Sequence, residues 1–478
     1  MPLERTRRYS VRRREENMSL LRVLETAKSA MMAHRTATTV TAHNIANANT
    51  PGYSRQTAVL EAQAGRVNLN SPGPLTRTGV DVVAVSRAGD ELVAARLLLQ
   101  QGRLGTSAAM QRALETVETT FNDLSEQGIA ADLSAFFNAW EAVATSPDQA
   151  APRAELLQRG ARLAESITSR YADLEEQRRD LNADVLPQVQ EINDLAREVA
   201  QLNAQIAGDV GDSPPNDLID QRETRLLRLA ELAGTVVLRQ GDGSVDVLIG
   251  GQRIVQRDRF VELETPRDAS NGNLYDVTLQ AHSVRVELGG SLRGTLIARD
   301  DRIPAYEQSL NGFVETLVAE VNSRHQAGFG MDGSTTLDFF DAASSAADLR
   351  LSADIVGQPG KIAASASGAP GDGAQALAIA GLRDELVAGG GTASIFDLYD
   401  AFAADIATDS RDAALLTDAD QALLDRLTEQ REAVAGVSLD EEAINLMVQE
   451  RAYEAAARVA AVVDNLIGVL LSLSEEAV

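Results

Sequence analysis

Asn44-Ile45-Ala46-Asn47-Ala48-Asn49-Thr50-Pro51-Gly52-Tyr53-Ser54-Arg55-Gln56 is the stretch on which the reading of this 478-residue chain turns. Pro51 disfavours the helical region for Thr50, so a helix arriving from the N-terminal side should end near Asn49. Pro51-Gly52 fits the two central positions of a type II turn, where glycine supplies the positive φ. Asn44, Asn47 and Asn49 can bond the open carbonyls at the helix end or tolerate left-handed backbone. On local chemistry alone this is a helix stop followed by a turn.

Upstream, a helical pattern starts at Met18. Leu20, Leu24, Ala27, Met31, His34, Thr38, Thr41 and Ile45 alternate spacings of four and three, the stripe of a helix that faces a partner helix. The far end of the chain supplies a candidate. Leu439, Leu446, Tyr453, Ala460 and Ile467 recur every seven residues, with Ala456, Val463 and Leu470 at the intermediate positions. Ser438 and Glu441 form a capping-box start signal for that helix. Two matching seams some 400 residues apart suggest that the chain begins and ends in one coiled-coil-like inner domain. Intramolecular packing and assembly with neighbours account for such seams equally well.

Between them, the periodicity predicts helices at about 88–124, 129–145, 150–208, 216–233, 301–326 and 395–435. Pro187 should kink or break the longest. Asp209 through Pro215 reads as a loop, with Asn216 or Asp217 as N-cap of the next helix. Thr235–Leu238 and Ser244–Ile249 around Gly241-Asp242-Gly243 read as a hairpin. Short strands follow at Arg253–Val255, Tyr275–Leu279 and Val284–Leu288. The stretch 327–380 is rich in Gly, Ala, Ser and Asp, with a strand signal at Leu349–Leu351 and a loop at Gly368–Gly373. The predicted fold is mainly α and multidomain. A disordered extension covers 1–17, and 18–65 plus 436–478 form the inner terminal-helix domain. Residues 66–233 plus 300–435 form an elongated helical middle domain, and 234–299 a small inserted β domain.

Composition agrees. Aromatics at 4% against 44% hydrophobic residues imply an Ala-, Leu- and Val-rich core, which suits packed helices. Seventy acidic against 44 basic side chains give a net charge of -26, repelling nucleic acid and anionic lipid headgroups. Cysteine is absent, so no thiol or disulfide chemistry is available. No stretch reaches the roughly 18 uninterrupted apolar residues of a membrane span. Arg5, Arg7, Arg8, Arg12, Arg13 and Arg14 precede no apolar core, unlike a cleaved secretory signal. They fit a disordered extension, an upstream start with Met18 as the natural first residue, or a basic arm. His34, His43, His282 and His325 have no metal-ligand spacing, and no phosphate-cradling loop is present. Carboxylate pairs such as Glu441-Glu442 and Asp300-Asp301 are too common in so acidic a chain to mark a site. Neither catalytic residues nor cofactors are expected.

The string Asn44–Gln56 as a whole resembles the signature that follows the first helix in flagellar rod, hook and hook-associated proteins. Its Tyr53-Ser54-Arg55-Gln56 ending is most similar to the hook-associated protein 1 family. Further similarities run in family order: Gly79-Val80-Asp81-Val82 with Arg87 and Asp90; Phe136-Phe137-Asn138-Ala139-Trp140 with Ser146-Pro147; Asn216 through Arg222; Asp242-Gly243-Ser244-Val245 and Ile249-Gly250-Gly251; Gly289 through Gly294 with Arg299-Asp300; and Ser438 through Ala443 with Tyr453 and the apolar tail to Leu473. The residues before Met18 lie outside that pattern, and the β region looks shorter than in the longest members.

The resemblance implies a structural subunit at the hook–filament junction, exported unfolded without a cleaved signal and polymerised at the extracellular tip. Its implied partners are hook protein, hook-associated protein 3, further copies of itself, and an export chaperone on the C-terminal helix; nucleic acid and membrane insertion are not among them. Candidate contact residues are Leu20, Leu24 and Met31 of the first seam; Asn44, Asn47, Asn49, Pro51, Gly52, Tyr53, Ser54, Arg55 and Gln56 of the turn; and Leu446, Tyr453, Val463, Ile467 and Leu470 of the last helix. The terminal helices are expected to order on assembly. The alternatives are flagellin or hook protein within the structural class, and a secreted coiled-coil effector, adhesin or wall hydrolase outside it.

Overall fold

The computed structural model describes residues 3–63, 79–121, 128–209, 214–280 and 284–475. It opens with α1 (Leu3–Asn47), β1 (Gln56–Ala62), β2 (Val80–Arg87), α2 (Glu91–Thr120), α3 (Ile129–Thr145), α4 (Ala150–Gly208) and α5 (Asn216–Ala233). Short strands follow: β3 (Val236–Arg239), β4 (Val245–Ile249), β5 (Gln252–Gln256), β6 (Arg259–Phe260), β7 (Leu263–Glu264), β8 (Arg267–Asp268), β9 (Leu274–Tyr275), β10 (Thr278–Leu279) and β11 (Val284–Arg285). It closes with α6 (Gly290–Ile297), α7 (Ile303–Gln326), α8 (Ala374–Ala380), α9 (Ile395–Ala435) and α10 (Leu439–Glu475).

The two chain ends lie together. α1 and α10 run antiparallel along each other: Asn44 meets Glu442 near one end, and His34 Nδ1 meets Gln449 Oε1 at 2.7 Å further along. Among the residues of α1 whose burial is described, the fully buried apolar ones are small, Ala27, Ala33 and Ala37, with Thr41 beside them. The larger seam members Leu20, Leu24, Met31 and Ile45 are half-buried, as are Leu446, Ile467 and Leu470, while Val463 is fully buried. Leu439, expected to open the seam, is exposed, and Tyr453 sits at its margin. Small residues on the contact line bring the backbones close, so larger side chains splay to the flanks. A pair of helices cannot enclose them.

α1 begins at Leu3, against the disordered extension expected for 1–17. The Arg and Glu residues that fill this stretch are good helix formers and favour continuation. β1, which the sequence did not suggest, pairs antiparallel with β2 from Gln56↔Arg87 to Ala62↔Val80. This ribbon lies against α1, where Val80 N donates to Ser29 Oγ at 3.2 Å. The expected domain boundary at residue 65 lies outside the described residues, as does the end of the helix predicted to reach 124.

Two cores build the body. The first joins α2, α3, the front half of α4, α7, α8, α9 and the 339–364 segment. The scarce aromatics are not spread thinly but gathered here: Phe136, Phe137, Trp140, Phe313, Phe339, Phe340, Tyr399 and Phe402 are all buried, in edge-on and tilted contacts. Asn322 fixes the 339–340 segment, its Oδ1 accepting from both backbone N–H groups at 2.9 Å and its Nδ2 donating to Phe340 O. The strand signal at Leu349–Leu351 survives as one bridge, Phe340↔Leu351.

The small inserted β region at 234–299 builds the second core together with helices. Val185–Ala200 of α4 and Leu226–Ala233 of α5 share it with β4, β5, Val286 and Leu292. Strands this short make a sheet with one apolar face, which needs helices to cover it. α6 also packs on α2, where a Cβ on Gly294 would sit 2.4 Å from Thr106 O and Thr106 Oγ1 donates to Gly290 O at 2.9 Å.

α4 runs unbroken for 59 residues, roughly 88 Å at 1.5 Å per residue. Pro187 therefore neither ends nor breaks it. The proline lies just where α4 passes from the first core (Leu174) to the second (Val185, Val189), and packing on both sides outweighs one lost backbone hydrogen bond.

Candidate functional site: the joint between the paired ends and the body

The turn after α1 folds as its residues dictate. Tyr53 N donates to Thr50 O at 3.2 Å, and Gly52 has φ 82°. A Cβ there would meet Thr224 Oγ1 at 2.5 Å, so glycine is required twice over. Asn47 caps the helix end, with Nδ2 on His43 O and Oδ1 accepting from Thr50 Oγ1. Asn49 and Pro51 are exposed.

Asn44 is the centre. It is 1% exposed, and its amide is fully used: Oδ1 accepts from Tyr53 OH (2.7 Å) and Gln56 N (2.9 Å), while Nδ2 donates to Gln56 O (2.8 Å) and Glu442 Oε2 (3.0 Å). Glu442, also 1% exposed, takes its second partner from Arg55 Nε at 2.8 Å. Arg55 further bonds through its backbone N to Ala435 O, the last residue of α9. One side chain thus ties the end of α1 to the start of α10, with the end of α9 beside it.

The other face of the turn holds α5. Ser54 N donates to Asp220 Oδ2 at 3.1 Å and Gln56 Nε2 to Asp217 Oδ1 at 3.0 Å. Asn216 is the first residue of α5 rather than its cap: its Nδ2 reaches Gln56 Oε1 and Val85 O instead, and Pro215 takes the cap position. Arg87, at the end of β2, pairs with Asp220 and with both oxygens of Glu223. Burial opposes its charge, but Glu223 and Asp220 outweigh it and raise the guanidinium pKa. Asp220 also lies above the usual carboxylate range, because burial exceeds the pull of Arg87 and the Ser54 N–H. Burial, followed by Asp217, Asp220 and Glu442, raises the Tyr53 phenol, which stays protonated as the donor to Asn44.

The structure therefore brings Asn44, Tyr53, Ser54, Arg55 and Gln56 together, but turns Asn44, Ser54 and Gln56 inward. They are internal fasteners rather than outer contact residues. Sequence reading missed Asp217, Asp220, Arg87 and Glu442 as members. Glu442 is dismissed above as one of many carboxylates; its position four residues before Leu446, on the same helix face, was the available signal. Among the described residues, no group of three His, Asp or Glu is placed to hold a metal. The interior is polar and self-satisfied, which suits holding rather than chemistry.

Beyond the joint, α10 carries a second apolar stripe on its outer side: Ile444, Val448, Val459, Val462, Leu466 and Val469 are exposed. A window within Ile395–Ser472 is apolar enough, by length and composition, to cross a membrane, yet only 6% of it is buried. Exposed apolar patches of this extent mark surfaces that meet something.

Comparison with known proteins gives three matches in chain order. Residues 24–53 match the family model of the flagella basal body rod protein, 114–340 that of the flagellar hook-associated protein FlgK helical domain, and 431–473 that of the flagellar basal body rod FlgEFG protein C-terminal region. The first and third are the paired ends, meeting at the joint. The chain is 27% identical to flagellar hook-associated protein 1 of Bacillus subtilis over 93% of its length and 96% of that protein. It is 24% identical to that of Escherichia coli and 25% to that of Salmonella typhimurium, over 66% of this chain and 59% of each of them. The fold is similar to the flagellar hook junction protein FlgK from Burkholderia pseudomallei, with a TM-score of 0.63 at 15% identity, covering 71% of this chain and all of that one.

Paired ends, a helical body and these matches define a class, the structural proteins of the flagellar axis. Within it, the chain is similar to flagellar hook-associated protein 1 over nearly its whole length.

Proposed function

We propose that this protein forms the layer joining hook to filament. One observation carries the reading: the two ends are paired and locked to the body by the joint, yet the pair leaves its outer apolar stripe uncovered. Burying such a stripe against neighbouring copies stabilises by about 25 cal/mol for each Å² removed from water. The partners on this reading are hook protein on one face, hook-associated protein 3 on the other, and further copies around the ring. Before that the chain passes unfolded through the export apparatus, with a chaperone covering α10. Leu20, Leu24, Met31, Tyr53, Arg55, Leu446, Tyr453, Ile467 and Leu470, together with the exposed Asn49, Pro51 and outer stripe, are the contact residues it offers. Adaptation between two lattices requires shape and buried area, with no active-site chemistry. Deleting the gene tests this: complete hooks with filament protein shed into the medium are expected. Filaments that still attach, or hooks that fail to form, would refute the junction role.

A further inference from the structure

The last half of α10 is more apolar than a helix seam requires. Thirteen of the 18 residues 455–472 are Ala, Val, Ile or Leu. A heptad seam asks for two positions in seven, about five of 18. Pairing with α1 uses few of them: Val463 is buried, and Ala456, Ile467 and Leu470 are half-buried. Val459, Val462, Leu466, Val469 and Leu471 remain 45–61% exposed. The polar residues are ordered as well. Arg451, Glu454, Arg458, Asn465 and Ser472 follow one another at spacings of three, four, seven and seven, which places them on one helix face. Asp464 lies at the margin of that face. Two arginines stand against Glu454 and Asp464, so 451–472 carries no net charge.

We infer that in the free subunit this half of α10 lies in the surface of a zwitterionic lipid bilayer. The exposed Val and Leu residues face the acyl chains, and the Arg451–Ser472 face stays among the headgroups. Apolar surface beyond what seams use is rewarded by a non-aqueous solvent, and this stretch is apolar enough, by length and composition, for a membrane. Its orientation follows from Asp464 and Asn465. They stand at the middle of the stretch, so a spanning helix would carry a carboxylate to the bilayer centre. A helix lying in the interface keeps both at headgroup level. The headgroup class follows from charge. A chain of net charge -26 is repelled by anionic lipid, whereas a neutral 451–472 meets no such barrier at a zwitterionic surface. This inference does not rest on the junction reading. In an assembled ring neighbouring copies take the place of the lipid, and a single copy leaves the surface in water.

Flotation of the full chain with phosphatidylcholine vesicles tests the idea. The chain has no cysteine, so Leu466→Cys and Asn465→Cys can each carry a single environment-sensitive fluorophore. Co-flotation that saturates with lipid is expected. Emission should shift to the blue, and be quenched by spin-labelled acyl chains, at position 466 and not at 465. Val462→Glu with Val469→Glu, both at exposed positions, should weaken partitioning by at least about tenfold without altering the circular dichroism. Four results would overturn the proposal: a chain that stays with the aqueous phase at millimolar lipid, equal responses at 465 and 466, partitioning unchanged in the double variant, or self-association that leaves the vesicles unoccupied. Any of them leaves the gene-deletion test of the junction role untouched, so the two readings can fail separately.

Discussion

Asn44 shows how much one side chain can decide. Each of its four hydrogen-bonding valences is spent, on three different segments, in a site from which water is excluded. Asn44→Ala should lower the unfolding free energy by about 3 kcal/mol in denaturant titration, because Glu442 and the Gln56 backbone are left buried and short of partners. Asn44→Asp should do at least as much harm at neutral pH, by setting a second carboxylate beside Glu442, and should recover on acidification. His325 offers a pH test. It is 1% exposed, with Nδ1 on Leu337 O at 2.6 Å and Nε2 accepting from Ala363 N at 3.0 Å, an arrangement that only the neutral ring satisfies. Burial lowers its folded pKa below 6.5, although Leu337 O and Asp338 pull upward and Arg153 adds to the lowering. The unfolded chain therefore takes up the proton first. Stability from this group is whole above pH 6.5 and falls as pH drops through the folded-state value; His325→Gln should flatten that part of the stability–pH curve.

At the scale of elements, α4 and α10 depart most from what propensity suggests. Pro187 is exposed and removes one backbone bond from an otherwise continuous helix. Pro187→Ala should raise stability by about 2 kcal/mol, the helix-interior penalty less the entropy that proline removes from the unfolded chain. A loss of stability instead would show that α4 requires a local bend between its two cores. On α10 the outer stripe makes a cleaner separation of folding from assembly. Val462→Glu with Val469→Glu changes two exposed residues, so thermal unfolding of the soluble chain should shift by no more than about 0.5 kcal/mol each. The same pair should abolish filament attachment in a complementation assay. An equal loss of both properties would place the stripe in the monomer's own core.

Considered whole, the molecule is a long body with a thin two-helix extension fastened at one joint. The body carries both large cores; among its described residues, the extension has Ala, Thr and one buried valine along its seam. Isolated helix pairs of that composition are marginal in water. Hydrogen exchange on the soluble monomer should therefore find residues 18–40 and 446–473 exchanging quickly, with protection rising at the joint and high in Phe136–Trp140. Strong protection along both terminal helices would contradict the view that neighbouring copies complete them.

Local rules were legible wherever one interaction dominates: the Thr50–Tyr53 turn, the start of α10 behind Ser438, the span of α9 and the seam rows of both ends follow from proline sterics, capping and period. Their meeting was signalled only by matching pattern. What the chain alone determined is the identity of its long helices, while the short α6 and α8 escaped it, because periodicity needs several turns to show and turn chemistry acts over a few residues. Only the tertiary structure decided which face of Asn44 and Glu442 turns inward, that Pro187 is tolerated, and that the strands share a core with α4. Those outcomes depend on which groups, hundreds of residues apart, exclude water from each other, and no local pattern encodes that.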